Sequence, residues 1–553
     1  MVDQSESSEL LEAQKIQDEI DNRRLAKTEK NTKILPILLI LPAIAGLAWV
    51  SYYFEQDLVP KIATESAASA LDIENIVPLT IEQPRFNPEE VLEEKTPSPA
   101  APTIKQSVWV DPKSSGKAWS EINQTAEGLL TFRGNPTRTF HGKGPLPEKP
   151  KTLWKTTIQC SISIVGEEEK EWCGTGWTGQ PVIFKSPKNP DAWWLAVGGY
   201  NKSVNFYNPE NGDEVFPKYE TQDIIKGTVT IDPDGFPLLY TGSRDDFFHI
   251  VSLEGDEPEL LWQLSSESDQ ATFWNNDWDG SAMIIDDYLF LGGENSRFYI
   301  LKLNRSYEDG KVAVNPTEVF STQAWDEELL GNLGDSEVSI ENSVAISGNT
   351  IYFANSGGLV QGWDISQLKE GVEPKRVFRF WTGDDTDATV IIDKEGFLYV
   401  GSEYQRGTKR SDEVGQVMKL DPKKPDDPLV WGFKANKGLD TGIWATPALY
   451  ENLLIVPTHT GELYGINRMT GEQEWLINFA GRLWSSPVII DDKLLQADCR
   501  GNLHLFDLSE PNSQPSLIWK YTLAKGACIE STPAVWDGKI FVGARNGNFY
   551  GLN

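Results

Sequence analysis

The sequence is short of the residues that most metal-binding and nucleic-acid-binding domains need. Its 553 residues include only four cysteines and four histidines, which are too few and too scattered for a zinc ribbon or finger. No CxxCH motif occurs, so covalent haem of the c type is not indicated. Positive charge is also scarce, because 50 Lys and Arg stand against 82 Asp and Glu, for a net charge of −32. Such a surface disfavours the binding of nucleic acid but is compatible with the binding of cationic partners or metal ions.

Short catalytic motifs are missing as well. The sequence contains no G-x-S-x-G, P-loop or HExxH motif. The histidines, His141, His249, His459 and His504, are isolated in sequence. Because folding can unite distant residues, these absences favour a protein that is not an enzyme without excluding one.

Long hydrophobic runs are limited to one, from Ile34 to Phe54. At a rise of about 1.5 Å per residue, a run of this length spans the hydrocarbon core of a bilayer. Basic residues precede the run and only Lys61 follows it closely, so the positive-inside rule places the N-terminus in the cytoplasm. A cleaved signal peptide is the alternative, but the run is long for one and no small-residue cleavage site follows closely. We expect an uncleaved signal anchor in a bacterial inner membrane.

The signal anchor divides the chain into four parts. Residues 1–33 are expected to form a cytoplasmic tail and residues 34–54 the transmembrane helix. Residues 55–125 are rich in Pro, Glu, Ala and Ser, which is typical of an extended linker. Residues 126–553 should form the folded domain, which is periplasmic or extracellular.

A short signature recurs through the exported part of the chain: a small or polar turn, then alternating apolar residues, often ending in Asn or Asp. The eight copies begin at Lys202, Asp246, Ser296, Gly358, Gly415, Gly461, Gly501 and Gly547. Their spacing of roughly 40 to 60 residues predicts an all-β, eight-bladed propeller of four-stranded antiparallel blades. The last copy ends at the C-terminus, so residues 153–158, with Trp154 in the equivalent place, are expected to supply its outer strand.

One turn of the repeat carries a family resemblance. The stretch N-R-M-T-G-E-Q-E-W, from Asn467 to Trp475, resembles the tryptophan-docking repeat of the pyrroloquinoline-quinone-type propellers. Thr470, Gly471 and Trp475 match that repeat, whereas Asn467 stands where the family has Asp. The stretch F-R-G-N-P-T-R-T at residues 132–139 also looks like the usual lead-in to such propellers. The resemblance covers residues 129–553.

The resemblance implies structural roles for the aromatic residues that follow the repeated strands. Each docking tryptophan should fill the gap between neighbouring blades, burying on the order of 150–250 Å². Gly471 should provide a turn with positive φ. The tryptophans given this role are Trp154, Trp262, Trp431, Trp475 and Trp519.

Two functional branches of the family remain open. One comprises quinone-dependent dehydrogenases, typified by a vicinal disulfide on the cofactor, a Ca²⁺ site and a catalytic Asp. This chain has no adjacent cysteines and its loops look short for a cofactor chamber, so pyrroloquinoline quinone is not expected and no cofactor is predicted. The other branch is non-catalytic and includes an eight-bladed lipoprotein of the outer-membrane assembly machinery, which looks like a scaffold for protein contacts. This chain lacks a lipobox cysteine after its apolar run and is similar only in the propeller.

These features favour a membrane-anchored, extracytoplasmic scaffold that binds protein partners in the cell envelope, for example in envelope protein assembly. The propeller itself is expected to be a monomer. A quinone-dependent oxidoreductase is one alternative, and a sensor of small ligands, polysaccharide or Ca²⁺ is another.

All four cysteines lie on the exported side, where disulfides persist. Pairing Cys160 with Cys173 and Cys499 with Cys528 is the local choice among three connectivities. Four free, buried cysteines are the alternative.

The innermost strand of each blade begins at an equivalent position, and these positions should line one mouth of the central channel. Around the ring they are Thr178, Gly227 or Thr228, Asp279, Glu341, Asp387, Trp444, Trp484 and Glu530. With nothing cationic expected beside them, Asp279, Glu341 and Asp387 could hold Ca²⁺ through oxygen ligands. A hydrated acidic funnel is the alternative. Trp444, Trp484 and Glu530 could bind a ligand, although the tryptophans could equally be packing residues.

Overall fold

The structure of the protein is a computed structural model, which describes residues 126–165, 168–177, 179–267 and 275–553. The predicted cytoplasmic tail, signal anchor and linker lie outside these residues, as does Thr178. Within the described ranges, no helix is long and apolar enough to cross a membrane. Regular structure there is almost entirely β-strand, with two six-residue helices, α1 (Glu327–Asn332) and α2 (Lys409–Val414), and a 3-10 turn at Leu368–Glu370.

The strands build eight four-stranded antiparallel blades, as the repeats predict. Before the first blade come β1 (Gly128–Leu129), β2 (Gly142–Lys143), β3 (Thr152–Thr157), β4 (Cys160–Val165) and β5 (Glu168–Cys173). Blade 1 adds β6 (Val182–Lys185), β7 (Trp193–Gly199), β8 (Ser203–Tyr207) and β9 (Glu214–Glu220). Blade 2 adds β10 (Thr230–Ile231), β11 (Leu238–Gly242), β12 (Phe247–Ser252) and β13 (Glu259–Ser265). Blade 3 adds β14 (Met283–Ile285), β15 (Tyr288–Gly293), β16 (Arg297–Lys302), the small hairpin β17 (Ser306–Glu308) and β18 (Lys311–Ala313), and β19 (Thr317–Gln323).

The second half of the ring continues the same order. Blade 4 contains β20 (Ala345–Ser347), β21 (Thr350–Phe353), β22 (Leu359–Asp364) and β23 (Lys375–Trp381). Blade 5 contains β24 (Ile391–Ile392), β25 (Leu398–Gly401), β27 (Val417–Leu420) and β28 (Leu429–Phe433), with the inserted pair β26 (Glu403–Tyr404) and β29 (Thr441–Gly442). Blade 6 contains β30 (Ala448–Tyr450), β31 (Leu453–Pro457), β32 (Glu462–Asn467) and β33 (Gln473–Asn478). Blade 7 contains β34 (Val488–Ile490), β35 (Lys493–Ala497), β36 (Asn502–Asp507) and β37 (Ser516–Thr522), and blade 8 contains β38 (Ala534–Trp536), β39 (Lys539–Ala544) and β40 (Asn548–Leu552).

The two ends of the propeller domain meet in blade 8. Strand β3 pairs antiparallel with β40, and Trp154 lies opposite Gly551. The prediction that residues 153–158 supply the missing outer strand is therefore confirmed. Because the last blade is completed by a strand from the start of the domain, the ring has no open seam.

The apolar core is divided among the interfaces between blades. Each cluster of buried side chains draws on two neighbouring blades, and the clusters follow one another around the ring. Between blades 8 and 1, for example, Trp154 and Phe549 pack with Leu195 and Tyr207. The alternating apolar residues of each strand thus hold the blades face to face.

The docking tryptophans occupy the predicted gaps. Four of them donate an indole N–H to a backbone carbonyl in the outer turn of the next blade, at 2.9–3.1 Å. The pairs are Trp154 with Pro209, Trp431 with Arg468, Trp475 with Pro511 and Trp519 with Pro147. Trp262 instead packs in the cluster that includes Tyr307 and Val312, because the β17–β18 hairpin takes the place of the short turn in blade 3.

Gly471 explains why the turn of the repeat requires glycine. Its φ is +78°, and an added Cβ would lie 2.7 Å from the Trp431 ring. We expect Gly471→Ala to lower the free energy of unfolding by about 2–4 kcal/mol, from left-handed backbone strain plus overpacking. Gly538 has a φ of +85° with nothing within 4 Å of an added Cβ, so Gly538→Ala should cost only about 1 kcal/mol. Equal losses in urea unfolding would contradict the docking role of Trp431.

Residues 128–143, which we name the entry segment, run across the ring and contact the innermost part of every blade. Strand β1 pairs with β6 of blade 1, and β2 pairs in parallel with β38 of blade 8. Between them, the segment bonds in turn to blades 2 to 7 through Ile231, Ala282, Val344 and Ile346, Ile392, Thr446 and Ile489. The entry segment therefore crosses the propeller axis and ties all eight blades together.

Two buried arginines anchor the entry segment. Arg133 and Arg138 are both fully buried, and burial lowers the pKa of each to about 9. Arg138 donates hydrogen bonds to the carbonyl oxygens of Val344, Phe132 and Ser281 at 2.7–2.9 Å. These contacts join the lead-in to blades 3 and 4 through backbone acceptors.

Both predicted disulfides are present. Cys160 and Cys173 face each other at the base of the β4–β5 hairpin, and Cys499 is joined to Cys528. The second bond links the loop after β35 of blade 7 to the loop before β38 of blade 8. The first bond thus closes the hairpin, and the second joins loops of two neighbouring blades.

Candidate functional site at the channel mouth

A cavity of about 720 Å³ opens at the end of the propeller where the innermost strands begin. We name it the mouth cavity. Its charged lining residues are Glu337, Glu341, Asp385, Asp387, Glu403, Glu530, Lys226 and Arg545. Its aromatic lining residues are Trp172, Trp177, Tyr200, Trp444 and Trp484. Carboxylates therefore outnumber cations six to two on its wall, and the volume lies within the range of small-molecule sites.

The repeat positions picked out in the sequence converge on this cavity. Glu341, Asp387, Trp444, Trp484 and Glu530 all line it. Asp279 does not line the wall but lies buried beside it, in contact with Lys226. Because the loops were expected to be short, a cavity of this size was not predicted. The β4–β5 hairpin and the blade 5 insertion help to form its wall.

The predicted calcium ligands are divided between two carboxylate groups. The oxygens of Asp279, Glu294 and Glu341 lie within 4.8 Å of one another, and so do those of Asp385, Asp387 and Glu403. We name the second set the carboxylate triad. The three predicted ligands thus do not form one group, and Ca²⁺ binding remains a prediction.

The expectation that nothing cationic stands beside these acids is wrong. The Lys226 ammonium contacts Asp279 and lies 3.4 Å from Glu294 Oε1 and 3.9 Å from Asp277 Oδ2. Burial would lower the pKa of Lys226, but the surrounding carboxylates raise it well above its ordinary value. A second cation is also present, because Arg244 Nε lies 2.6 Å from Asp277 Oδ2. The charge of the first carboxylate group is therefore partly neutralised from within the chain.

The carboxylate triad is positioned by blade 5 and its insertion. Strand β26 carries Glu403 opposite Gly442 of β29, and the Glu403 N–H donates to the Asp385 carbonyl at 2.7 Å. Asp387 lies two residues after Asp385 and shortly before the innermost strand β24. Gln405 Nε2 donates to Glu403 Oε2 at 2.5 Å. The backbone thus fixes three carboxylates at one point of the cavity wall.

In the absence of a bound cation, burial and mutual repulsion raise the pKa values of these acids. Burial, with the charge of Asp385, raises the pKa values of Asp387 and Glu403 well above their ordinary range. Burial also raises the pKa of Asp385 to about 6 and, with Glu294, that of Glu341 to about 8. Near neutral pH, the cavity wall therefore holds carboxyls that ionise only at a free-energy cost.

The stability of the protein should fall as the pH rises. Folded pKa values of about 6 for Asp385 and about 8 for Glu341 exceed the unfolded values, so the folded state binds more protons. The resulting stabilisation is complete below the unfolded pKa values and is lost as the pH rises through about 6 to 8. Between pH 5 and 8.5 we expect a loss on the order of 1–3 kcal/mol in urea unfolding.

A double variant distinguishes the effect of the mouth acids on stability from the effect of acidic residues elsewhere in the chain. Asp387→Asn combined with Glu341→Gln should flatten the pH dependence and be more stable than the parent at pH 8.5, because charges that repel are removed. Glu259→Gln, at an exposed position of outer strand β13, should behave like the parent. The same decline in all three proteins would contradict the role of the mouth acids.

An aromatic wall completes the cavity. The rings of Trp444 and Trp484 stack with centroids 5.0 Å apart and planes 14° apart. The Trp484 indole N–H donates to His459 Nδ1 at 2.8 Å. Both tryptophans are half-buried and line the cavity, so they pack against each other while remaining accessible from within it.

Arg545 forms a second aromatic contact in the mouth. Its guanidinium lies 4.7 Å from the Trp172 ring centre and 4.8 Å from that of Tyr200. It also pairs with Glu530 at 3.2 Å. The mouth thus already holds one cation between aromatic rings and a carboxylate, which shows the chemistry that this wall favours.

Sequence reasoning missed several of the lining residues. Trp177 and Lys226 each stand one position before the repeat positions that were chosen, so a wider window around the repeat could have found them. Glu403 lies in an insertion that no repeat predicts. Trp172 and Arg545 come from a hairpin and a loop whose placement depends on the closed ring.

The cavity does not fit pyrroloquinoline quinone. That cofactor carries three carboxylates, whereas the wall offers two cations against six acids. Arg545 is paired with Glu530 and Lys226 with Asp279, so neither is free for an anion. The cysteine pair that touches the cavity is Cys499–Cys528, which is not a pair of adjacent residues.

Comparison with known proteins supports the fold. The family model described as outer membrane protein assembly factor BamB matches residues 413–510. A quinohemoprotein alcohol dehydrogenase from Pseudomonas putida is 10% identical, covers 80% of this chain and 82% of its own, and has a TM-score of 0.52. The corresponding enzyme from Comamonas testosteroni is 10% identical, with coverages of 77% and 80% and a TM-score of 0.51. BamB from Moraxella catarrhalis is 10% identical, with coverages of 73% and 98% and a TM-score of 0.36.

These identities are too low to transfer a function. No curated protein sequence matches the chain, and the solved structures with TM-scores above 0.5 share only its fold. Over residues 413–510 the chain is similar to this family model, and over its propeller it shares the fold of the quinohemoprotein alcohol dehydrogenases; these similarities do not resolve a functional branch.

Proposed function

We propose that this protein is a non-catalytic, membrane-anchored scaffold that binds a protein partner outside the cytoplasm. Residues 34–54 would hold it in the membrane, and the mouth cavity would receive a basic part of the partner. The observation that carries the proposal is the excess of carboxylates over cations on the cavity wall, six to two. Such a site attracts positive charge and repels anionic ligands.

The closed floor and the hairpin support a binding role. The entry segment crosses the axis of the ring, so the cavity is approached from one end. Beside the mouth, the β4–β5 hairpin exposes Ile162 and Ile164, which are 48% and 60% accessible. Exposed aliphatic side chains next to a charged cavity are typical of protein interaction surfaces.

The description of the matching family model agrees with this proposal. That model describes an outer membrane protein assembly factor, although it matches only residues 413–510. We would therefore look for the partner first among proteins that take part in envelope protein assembly.

Crosslinking in the native membrane tests the proposal. The tagged full chain should recover a defined partner after mild formaldehyde treatment, and Asp385→Asn with Glu403→Gln should reduce that recovery at least fivefold. Glu259→Gln, an exposed acid away from the mouth, should recover as much as the parent. Recovery of no partner, or equal recovery by all three proteins, would refute the proposal.

The oxidoreductase alternative has its own test. Adding pyrroloquinoline quinone and CaCl₂ to the purified chain should give no bound-quinone absorbance and no alcohol-dependent dye reduction. A bound cofactor with substrate-dependent dye reduction would replace the scaffold proposal.

A further inference from the structure

We propose that the carboxylate triad and Trp444 form a seat for the ammonium group of a lysine side chain donated by the partner. This inference rests on the proposed binding function and names the group that the mouth recognises.

The protein itself shows how the mouth binds an ammonium group. Lys226 Nζ sits among the carboxylates of Asp277, Asp279 and Glu294, with the distances given above. Its ammonium group donates a hydrogen bond to Glu294 and contacts Asp279, with Asp277 at ion-pair distance. Here the cation comes from within the chain.

The carboxylate triad repeats this arrangement without the ammonium. Asp385 is 7% exposed, and no donor from outside the triad, among the described residues, hydrogen bonds to Asp385 Oδ1 or Asp387 Oδ1. Buried carboxylate oxygens are normally hydrogen-bonded or paired. Within the described part of the chain, these two oxygens contact only the other acids of the triad and therefore mark a place for a cationic donor.

The nearest arginine is already engaged. Arg406 Nε and Nη2 donate to the two carboxylate oxygens of Asp335 at 2.8 and 3.0 Å, and Nη1 donates to the Ser356 carbonyl at 2.8 Å. Arg406 also lies 3.3 Å from Glu337. Its charge moderates the pKa of Asp385, but its donors do not occupy the triad.

An aromatic ring beside the triad favours an organic cation. Trp444 follows Gly442 by two residues, and Gly442 pairs directly with Glu403. Trp444 and all three triad residues line the same cavity. A methylene stem can pack on the indole while its ammonium group contacts the carboxylates, an arrangement that a hydrated metal ion cannot use.

A lysine side chain also suits the shape of the site. The entry segment closes the axis below the mouth, so a partner inserts a side chain from one end and does not thread through the ring. An ammonium group offers three donors for three carboxylates on a head that is more compact than the planar guanidinium of arginine.

Two matched peptides test the inference on the full chain. Calorimetry at pH 7.5 and low salt should show that acetyl-Gly-Lys-Gly-amide binds at least tenfold more tightly than the norleucine peptide of the same length. Asp387→Asn with Glu403→Gln should abolish this preference, and Glu259→Gln should keep it. Equal binding of the two peptides by the parent protein would overturn the inference, and this comparison needs no variant to fold.

A calcium titration separates the competing occupant. The lysine seat predicts that 1 mM CaCl₂ changes the affinity for the lysine peptide less than threefold. Calcium that binds to the triad and excludes the peptide would make this a metal site and refute the lysine seat. If the parent protein binds the two peptides equally while Asp385→Asn with Glu403→Gln still loses the partner in crosslinking, the scaffold stands and the lysine seat fails.

Discussion

Replacing Arg138 by methionine should lower the free energy of unfolding by about 3 kcal/mol or more, although Arg138 does not line the mouth cavity. The side chain donates to three backbone carbonyls, of Val344, Phe132 and Ser281. Each buried carbonyl that loses its hydrogen-bond donor lowers the free energy of unfolding by about 1–3 kcal/mol. Part of this loss is offset because the substitution also removes a buried charge. The loss should be cooperative, since the entry segment contacts every blade.

Urea unfolding, followed by tryptophan fluorescence, measures this effect. Arg376→Met is the matched control, because Arg376 is 33% exposed and shares Asp326 with Arg379. A partly exposed ion pair contributes about 0–1 kcal/mol, so the control should unfold close to the parent. If Arg138→Met were as stable as the parent protein, the entry segment would not be the element that holds the blades together.

Replacing Arg305 by methionine should cost about 3–5 kcal/mol, the largest effect of a single substitution that we expect. Its guanidinium is 1% exposed and pairs with Asp232 at 2.7 Å, Asp234 at 2.8 Å and Asp287 at 2.8 Å. Asp232 and Asp234 belong to blade 2 and Asp287 to blade 3, so one side chain bridges two blades. Removing it leaves buried carboxylates without a counter-charge.

A second substitution checks this explanation. Asp232→Asn in the Arg305→Met background should restore part of the lost stability, because one uncompensated charge disappears. The same Asp232→Asn change in the parent should be destabilising, since it weakens the pair with Arg305. Additive losses in the double variant would show that the effect of Arg305 comes from packing and not from charge.

Much of the ring could be predicted because its signal is local and repeated. Alternating apolar residues and a regular turn identify each blade, and the truncated last copy indicates that a strand near Trp154 must complete it. The same repeat register located Glu341, Asp387, Trp444, Trp484 and Glu530, because equivalent positions in equivalent blades face one axis.

The remaining features depend on contacts between distant parts of the chain. Arg133 and Arg138 read as ordinary surface residues of a loop, yet they are buried against backbone carbonyls that only the closed ring brings together. Lys226 neutralises acids of the neighbouring blade, so its role is invisible within one repeat. Glu403 completes the carboxylate triad from an insertion, where the repeat register gives no guide.

Site-specific photocrosslinking from the mouth tests the central claim most directly. A benzophenone amino acid in place of Trp484, which lines the mouth cavity, should form a discrete adduct with a partner in the native membrane. The same probe at Met469, which lines a separate cavity and is 63% exposed, should form none. The Trp484 adduct should disappear when Asp387→Asn and Glu403→Gln are added; an adduct that persists in that variant, or that forms equally from Met469, would contradict recognition by the acidic mouth.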